Sequence, residues 1–196
     1  MTATRKEAAL ATRKSIVQAA MKIVGEGGYE SLTTGVLIKE AGIAKGTLYH
    51  HFDSLEDVIC AMIEQFSEMI FAEVPIDKYE TMEGYLADLG NFCLDHVSSN
   101  PALMNLFYGF IPKGFNNEKY KTQVFNIFKK ATEQVTPAVK KFYKDKATPE
   151  KIDAAVRMVD IFSMGFCVHH CIFDDRETYL SLWQNFSQMM IKYMEA

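Results

Sequence analysis

The stretch AGIAKGTLYHHFDSLEDV, Ala41–Val58, sets two glycines and an aromatic–His–His–aromatic run ahead of a serine-led restart. Its spacing predicts two short helices joined by a glycine turn, with a longer helix beginning at Ser54. Thr33 and Thr34 can each cap the first short helix, which runs to about Ala41, because a threonine hydroxyl accepts an unpaired N–H of a helix's first turn. Gly42 suits the left-handed residue that ends it. The second short helix spans about Lys45 to His51. Ser54 followed three positions on by Asp57 resembles a capping box and opens a further helix to about Ala72.

Two short helices at such a turn make a helix-turn-helix pattern over about residues 33–52. Leu37, Ala41, Ile43 and Leu48 are its apolar positions and lock the pair together. Lys45, Thr47, Tyr49, His50 and His51 are left facing solvent. Gly46 removes side-chain bulk where backbone N–H groups can meet a phosphate. A cation, a hydroxyl, a phenol and two imidazoles on one short helix suit phosphates and the base edges of a major groove. A metal pair at His50–His51 is disfavoured, since adjacent helical residues point about 100° apart.

Outward from this stretch the chain reads as helix throughout. Apolar residues recur at helical spacing from about Lys6 to Gly25, and the glycines of GEGG, Gly25–Gly28, stop that first helix. Residues 77–98 read as one helix, and Asn100-Pro101 opens a short one to about Phe110. IPKGFNN, Ile111–Asn117, reads as a loop. Glu118 to Lys146 reads as a long helix with a kink or break at Pro137. Thr148-Pro149 starts a helix to about Ile172, and a last helix follows the DDR hinge, Asp174–Arg176, to near Met194. The expected fold is all-α, with about nine helices and no strands: a small N-terminal head, residues 10–70, and a helical body, residues 71–196.

Charge divides the same way. Residues 1–52 carry seven Lys/Arg against four acids, net +3, and the remaining residues carry net −7, for −4 over the 196-residue chain. Only the head is thereby suited to a polyanion. No uninterrupted apolar run reaches 18 residues and the N-terminus lacks a signal-peptide core, so a cytoplasmic protein without membrane contact is expected. Four scattered cysteines read as free thiols rather than a disulfide framework.

The span from about Leu10 to Gln65 resembles the tetracycline-repressor (TetR) family of bacterial regulators. The matching pieces are ATRKSIVQAAMKIVGEGGYESLTT, AGIAKGTLYHHF and SLEDV, in order and at the family's separations. The resemblance implies a homodimer whose recognition helices enter successive major grooves of a palindromic double-stranded operator. It also implies a helical C-terminal domain that binds a small-molecule effector and lowers DNA affinity, most often making such a protein a repressor. Carried over by position, Thr34, Gly35, Lys45, Gly46, Thr47, Tyr49, His50 and His51 would contact DNA. Two positions depart from the pattern. Leu55 stands where the family usually has a lysine that contacts phosphate, and Ile38 replaces an alanine.

For the body the residues give candidates only. Phe66, Met69, Phe92, Cys93, His96, Met104, Phe107, Tyr108, Phe128 and Met164 are the residues expected to hold an apolar or aromatic effector, since aromatic and Met side chains line adaptable cavities. The ordinary alternative for each is packed core. Val156, Val159, Phe166, Leu182, Trp183, Phe186 and Met190 on the last two helices are the candidates for a four-helix dimer interface, or for the monomer's own core. CVHHC, Cys167–Cys171, puts Cys167, His170 and Cys171 at i, i+3 and i+4. That offers a metal- or redox-responsive alternative, against the simpler reading of buried thiols and a hydrogen-bonded histidine. No resident cofactor is expected. No phosphate-loop, dinucleotide, zinc-protease or serine-elbow motif is present, and a small helical enzyme is the least favoured reading.

Overall fold

The structure is a computed structural model that describes residues 4–73, 75–143 and 146–196. Among these residues it is all-helical, with nine α-helices and no strand. The first helix, α1 (Arg5–Gly27), opens on a capping box: the Thr4 hydroxyl accepts from the Glu7 N–H while the Glu7 carboxylate accepts from the Thr4 N–H. It ends where Gly28 turns to φ 72°. Helix α2 (Thr34–Glu40) is capped by the Thr33 hydroxyl, which accepts from Val36 N at 3.3 Å. Gly42, at φ 63°, makes the turn into α3 (Lys45–His51). A Cβ-bearing residue would resist this left-handed conformation. Helix α4 (Leu55–Glu73) follows, with Ser54 Oγ accepting from Asp57 N at 3.2 Å.

Two later elements differ from expectation. The helix expected over 77–98 is α5 (Met82–Phe92), capped by Thr81 and extended by a π-helical turn over Cys93–Val97. The Ser98 N–H reaches the Cys93 carbonyl at 3.0 Å, the five-residue bond of a π turn. The expected loop at 111–117 is mostly a 3₁₀ segment, Ile111–Phe115, after α6 (Pro101–Tyr108). Helix α7 (Glu118–Tyr143) runs through Pro137 without being divided; its expected extension toward Lys146 falls on residues 144 and 145, outside the described residues. Helices α8 (Pro149–Phe173) and α9 (Arg176–Glu195) begin at Thr148 and Asp175 caps and are separated by Asp174 in the left-handed region.

The chain forms two compact units. The first contains residues up to Met69 together with Pro101–Phe125, so α6 and the start of α7 pack with the N-terminal helices. Its core gathers Ile16, Ala20 and Val24 of α1, Leu37 of α2, Leu48 of α3 and Val58, Met62 and Ile63 of α4. Helices α1 and α6 approach closely at Gly25, where a Cβ would lie 3.1 Å from Ala102 Cβ, and Asn105 Nδ2 donates to the Gly25 carbonyl at 3.0 Å. The Tyr29 hydroxyl donates to Leu106 O at 2.6 Å inside this core.

The second unit contains Ile70–Asn100 and Asn126–Ala196. Its core joins Met82, Tyr85 and Leu86 of α5 to Val139 of α7, Ile152, Val156 and Val159 of α8 and Met190 and Met194 of α9. Trp183 anchors α9 to α5: its indole N–H donates to Leu86 O at 2.7 Å, and its ring lies where a Cβ on Gly90 would stand. Helix α8 is long and apolar enough by composition to cross a membrane, with a mean hydropathy of 1.3 in its richest window. Its inward face, Ile152 to His170, is a wall of this unit's core.

Candidate nucleic-acid interface

Helix α3 is held by very little of itself. Leu48 is its one fully buried residue, and Phe52, at its C-cap, is buried immediately after it. Lys45, Gly46, Tyr49 and His50 are exposed, while Thr47 and His51 are half-buried. An isolated seven-residue helix is unstable in water, so these two anchors and the packing of α3 on α1 hold it in place. The exposed side chains are ordered among themselves. Lys45 Nζ lies 6.0 Å from the Tyr49 ring centroid, and the His50 and His51 rings meet edge to face at 5.2 Å.

Gly46 and Gly35 share a property that Gly25 and Gly90 lack. A Cβ at either would meet nothing within 4 Å, and neither has a positive φ. Nothing inside the protein requires a glycine at these positions. Gly46 lies on the exposed side of α3 and Gly35 on the exposed start of α2, beside the half-buried Thr34. A missing side chain there lets a large external surface approach the backbone.

Two contacts near this surface link residues too distant in sequence for spacing to reveal. The Arg13 guanidinium of α1 stacks over the Phe52 ring, 4.6 Å from its centroid. At the first turn of α4, Leu55 carries no charge, but Lys119 of α7 pairs with Asp57 there and Asn117 Nδ2 donates to Glu56 at 3.0 Å. The Lys119 ammonium and the Ser54 hydroxyl hold the Asp57 carboxyl below its ordinary pKa. The first turn of α4 is therefore met by a cation that α7 supplies.

The effector candidates are divided between the two units. Phe66, Met69, Met104, Phe107 and Tyr108 belong to the first unit, and Phe92, Cys93, His96, Phe128 and Met164 to the second. Phe66 is buried with its ring 6.2 Å from Phe107, which in turn meets Tyr108 edge to face. Phe92 stacks on the exposed His96. A cleft of about 470 Å³ in the first unit is lined by other residues, among them Tyr29, Glu30, Asn105 and Lys113, and is bridged by the Lys113–Glu30 ion pair at 3.2 Å.

The dimer candidates need correcting. Val156, Val159, Phe166, Trp183 and Met190 are all buried in the second unit's own core, because α8 and α9 turn those faces toward α5 and each other. Phe186 is half-buried, its ring stacked 3.8 Å from Phe162, and Leu182 alone of the set is exposed. The exposed apolar residues of these helices are instead Met158, Ile161, Ile172 and Phe173 on α8 and Leu182, Met189 and Tyr193 on α9.

The metal alternative is corrected as well. Cys167 and His170 face the interior while Cys171 faces solvent, so the three do not converge. Among the described residues no group of three His, Cys, Asp or Glu side chains is placed to hold a metal. His170 Nδ1 is bonded to Ser98 Oγ at 2.6 Å, and the Cys167 thiol meets the backbone and thiol of Cys93. The hydrogen bond with that neighbouring thiol, together with burial, pushes the Cys93 pKa well up, which keeps it protonated and unreactive.

An exposed short helix carried by a supporting helix and a glycine turn defines a helix-turn-helix module. Residues 16–62 match the family described as bacterial regulatory proteins, tetR family. Residues 16–62 thus carry that family's N-terminal module. It is 27% identical over 130 residues to the nucleoid occlusion factor SlmA of Marinobacter nauticus, covering 65% of this chain and 66% of that one. It is 43% identical over 61 residues to the HTH-type transcriptional regulator UidR of Escherichia coli K12, covering 31% of each. The chain thus spans under two thirds of these relatives' length. Its fold is that of GusR from Salmonella enterica (TM-score 0.76, 19% identity, 93% of this chain and 96% of that one). It is likewise that of FadR from Bacillus subtilis in complex with stearoyl-CoA (TM-score 0.69, 16% identity, 90% and 96%).

Proposed function

We propose that this protein is a ligand-responsive DNA-binding transcriptional regulator, a repressor that acts in the cytoplasm as a homodimer. Its α3 enters the major groove of a palindromic operator, with Lys45, Thr47, Tyr49 and His50 at bases and phosphates, His51 at a phosphate, and Thr34 and Gly35 of α2 against the backbone. The observation that carries this reading is the exposed polar face of α3 around Gly46, a glycine for which the protein's own packing has no use. The reading contains no catalytic step.

The effector is an apolar or aromatic small molecule bound by the helical body. The relative solved with stearoyl-CoA supports a ligand with a long apolar part, and the Phe and Met content of residues 71–196 supplies side chains that could cover one. Effector binding lowers DNA affinity by favouring a conformation in which the two recognition helices no longer match half-sites about 34–36 Å apart.

A titration against the DNA upstream of the protein's own gene tests the core of this reading. Wild type is expected to bind that DNA more tightly than a random-sequence duplex, and Lys45→Ala/Tyr49→Ala to lose the preference. Equal binding by wild type and the double variant at low salt refutes it.

A further inference from the structure

The first eleven residues of α1 extend beyond its buried stretch, which begins at Ile16. At about 100° per residue, Arg5, Lys6, Ala9 and Arg13 fall within one arc of about 100°. The arc continues into Ile16, Ala20 and Val24, the residues that α1 turns toward the rest of the head. Arg5, Lys6 and Arg13 are exposed, and among the described residues none of them makes an ion pair. The one acid in this stretch, Glu7, lies on the opposite side and is committed to the Thr4 cap. Lys14 also lies off the arc. Other basic residues of the head are partly neutralised, as where Lys22 pairs with Glu40 at 2.7 Å.

Arg13 fixes where this stripe starts. Its guanidinium stacks on Phe52, the residue that caps α3, next to His51. From there Ala9 and then Lys6 and Arg5 follow along the helix, about 12 Å in all. That length spans roughly three nucleotide steps of one strand.

We propose that Arg5, Lys6 and Arg13 form a second, sequence-independent DNA contact, a cationic rail on α1 that grips backbone phosphates flanking the groove entered by α3. This rests on the DNA-binding reading of α3 and adds to it a surface that binds any duplex. Arg13 lies closest to the recognition helix, and its stacking on Phe52 orients the guanidinium. Arg5 and Lys6 act as point charges further along the phosphate backbone. Each phosphate neutralised releases counterions, so each residue adds about 0.9 to the slope of log affinity against log salt.

The test is a salt titration of the full-length protein on a random-sequence duplex. Arg5→Ala/Lys6→Ala, far from the core, is expected to lower the slope by about 1.8 per bound protomer, about 3.6 for a dimer, and Arg13→Gln by about 0.9 per protomer, about 1.8 for a dimer. Lys140→Ala/Lys141→Ala, which removes two exposed charges from the second unit, is expected to leave the slope unchanged. Circular dichroism confirms that each variant keeps its helix content. An unchanged slope in Arg5→Ala/Lys6→Ala, an equal fall in the Lys140/Lys141 variant, or no binding of the random duplex at low salt overturns the rail. Failure of the α3 reading looks different: the upstream DNA is then bound no better than the random duplex, whatever the rail variants do.

Discussion

At Gly46 the local energetics and the proposed function pull in opposite directions. A glycine within a helix costs up to about 1 kcal/mol relative to alanine, and a Cβ here would touch nothing in the protein. Gly46→Ala should therefore leave thermal stability unchanged or raised while weakening binding to the DNA upstream of the gene. Thermal melts and binding titrations on the same preparation check both halves. Weaker binding together with a lowered melting temperature would make the glycine a structural residue. Gly90 is the opposite case, since the Trp183 indole occupies the space of a Cβ. Gly90→Ala should destabilise by about 1–3 kcal/mol, the usual cost of overpacking, as read from denaturant melts. The sequence marks both residues only as glycines. What separates them is whether a neighbour from another element fills the space, and that is a tertiary fact.

Most element boundaries were legible from the caps that announce them. Thr33, Ser54, Thr148 and Asp174 each adjoin an observed helix end and Gly42 follows the C-cap of α2, because capping is a local exchange of hydrogen bonds. The start of α5 was not, although Thr81 caps it, because residues 77–80 continue a helical pattern that the chain interrupts with a 3₁₀ turn. The π turn at Cys93–Val97 carries no local signal at all. Nor does the contact of α7 with the first turn of α4, where partners about sixty residues apart meet. That contact makes a pH-dependent prediction. Asp57 is held below its unfolded pKa by Lys119 and Ser54, so its contribution is present above the ordinary carboxylate range near pH 4 and is lost as pH falls through the lower folded value. Asp57→Asn should lower the melting temperature at pH 7 and have a much smaller effect at pH 2–3. An equal effect at both would mean that the carboxylate's charge is not what Lys119 stabilises.

For the molecule as a whole, the helical period of α8 and α9 showed that both are amphipathic but not which apolar face turns inward. Helix α8 has apolar residues on more than one side, so periodicity fits either choice, and packing with α5 decides it. With Val156, Val159, Trp183 and Met190 committed to that core, the stripe left over runs through Met158, Ile161 and Ile172 on α8 and Leu182, Met189 and Tyr193 on α9. Ile161 is 71% and Met189 67% exposed. A row of large apolar residues on two helices is costly to leave in water, and a second copy offering the same row would cover it in a symmetric bundle. Ile161→Glu/Leu182→Glu should then convert a dimer, twice 22.3 kDa, into a monomer in sedimentation velocity without loss of helix content. DNA affinity should fall at least tenfold, about 1.4 kcal/mol, because two linked half-site contacts become one. Trp183→Ala provides the contrast. It deletes a core anchor and should cost about 3–5 kcal/mol of stability, seen in melts. A wild type that sediments as a monomer would rule out the second copy as the cover for this stripe.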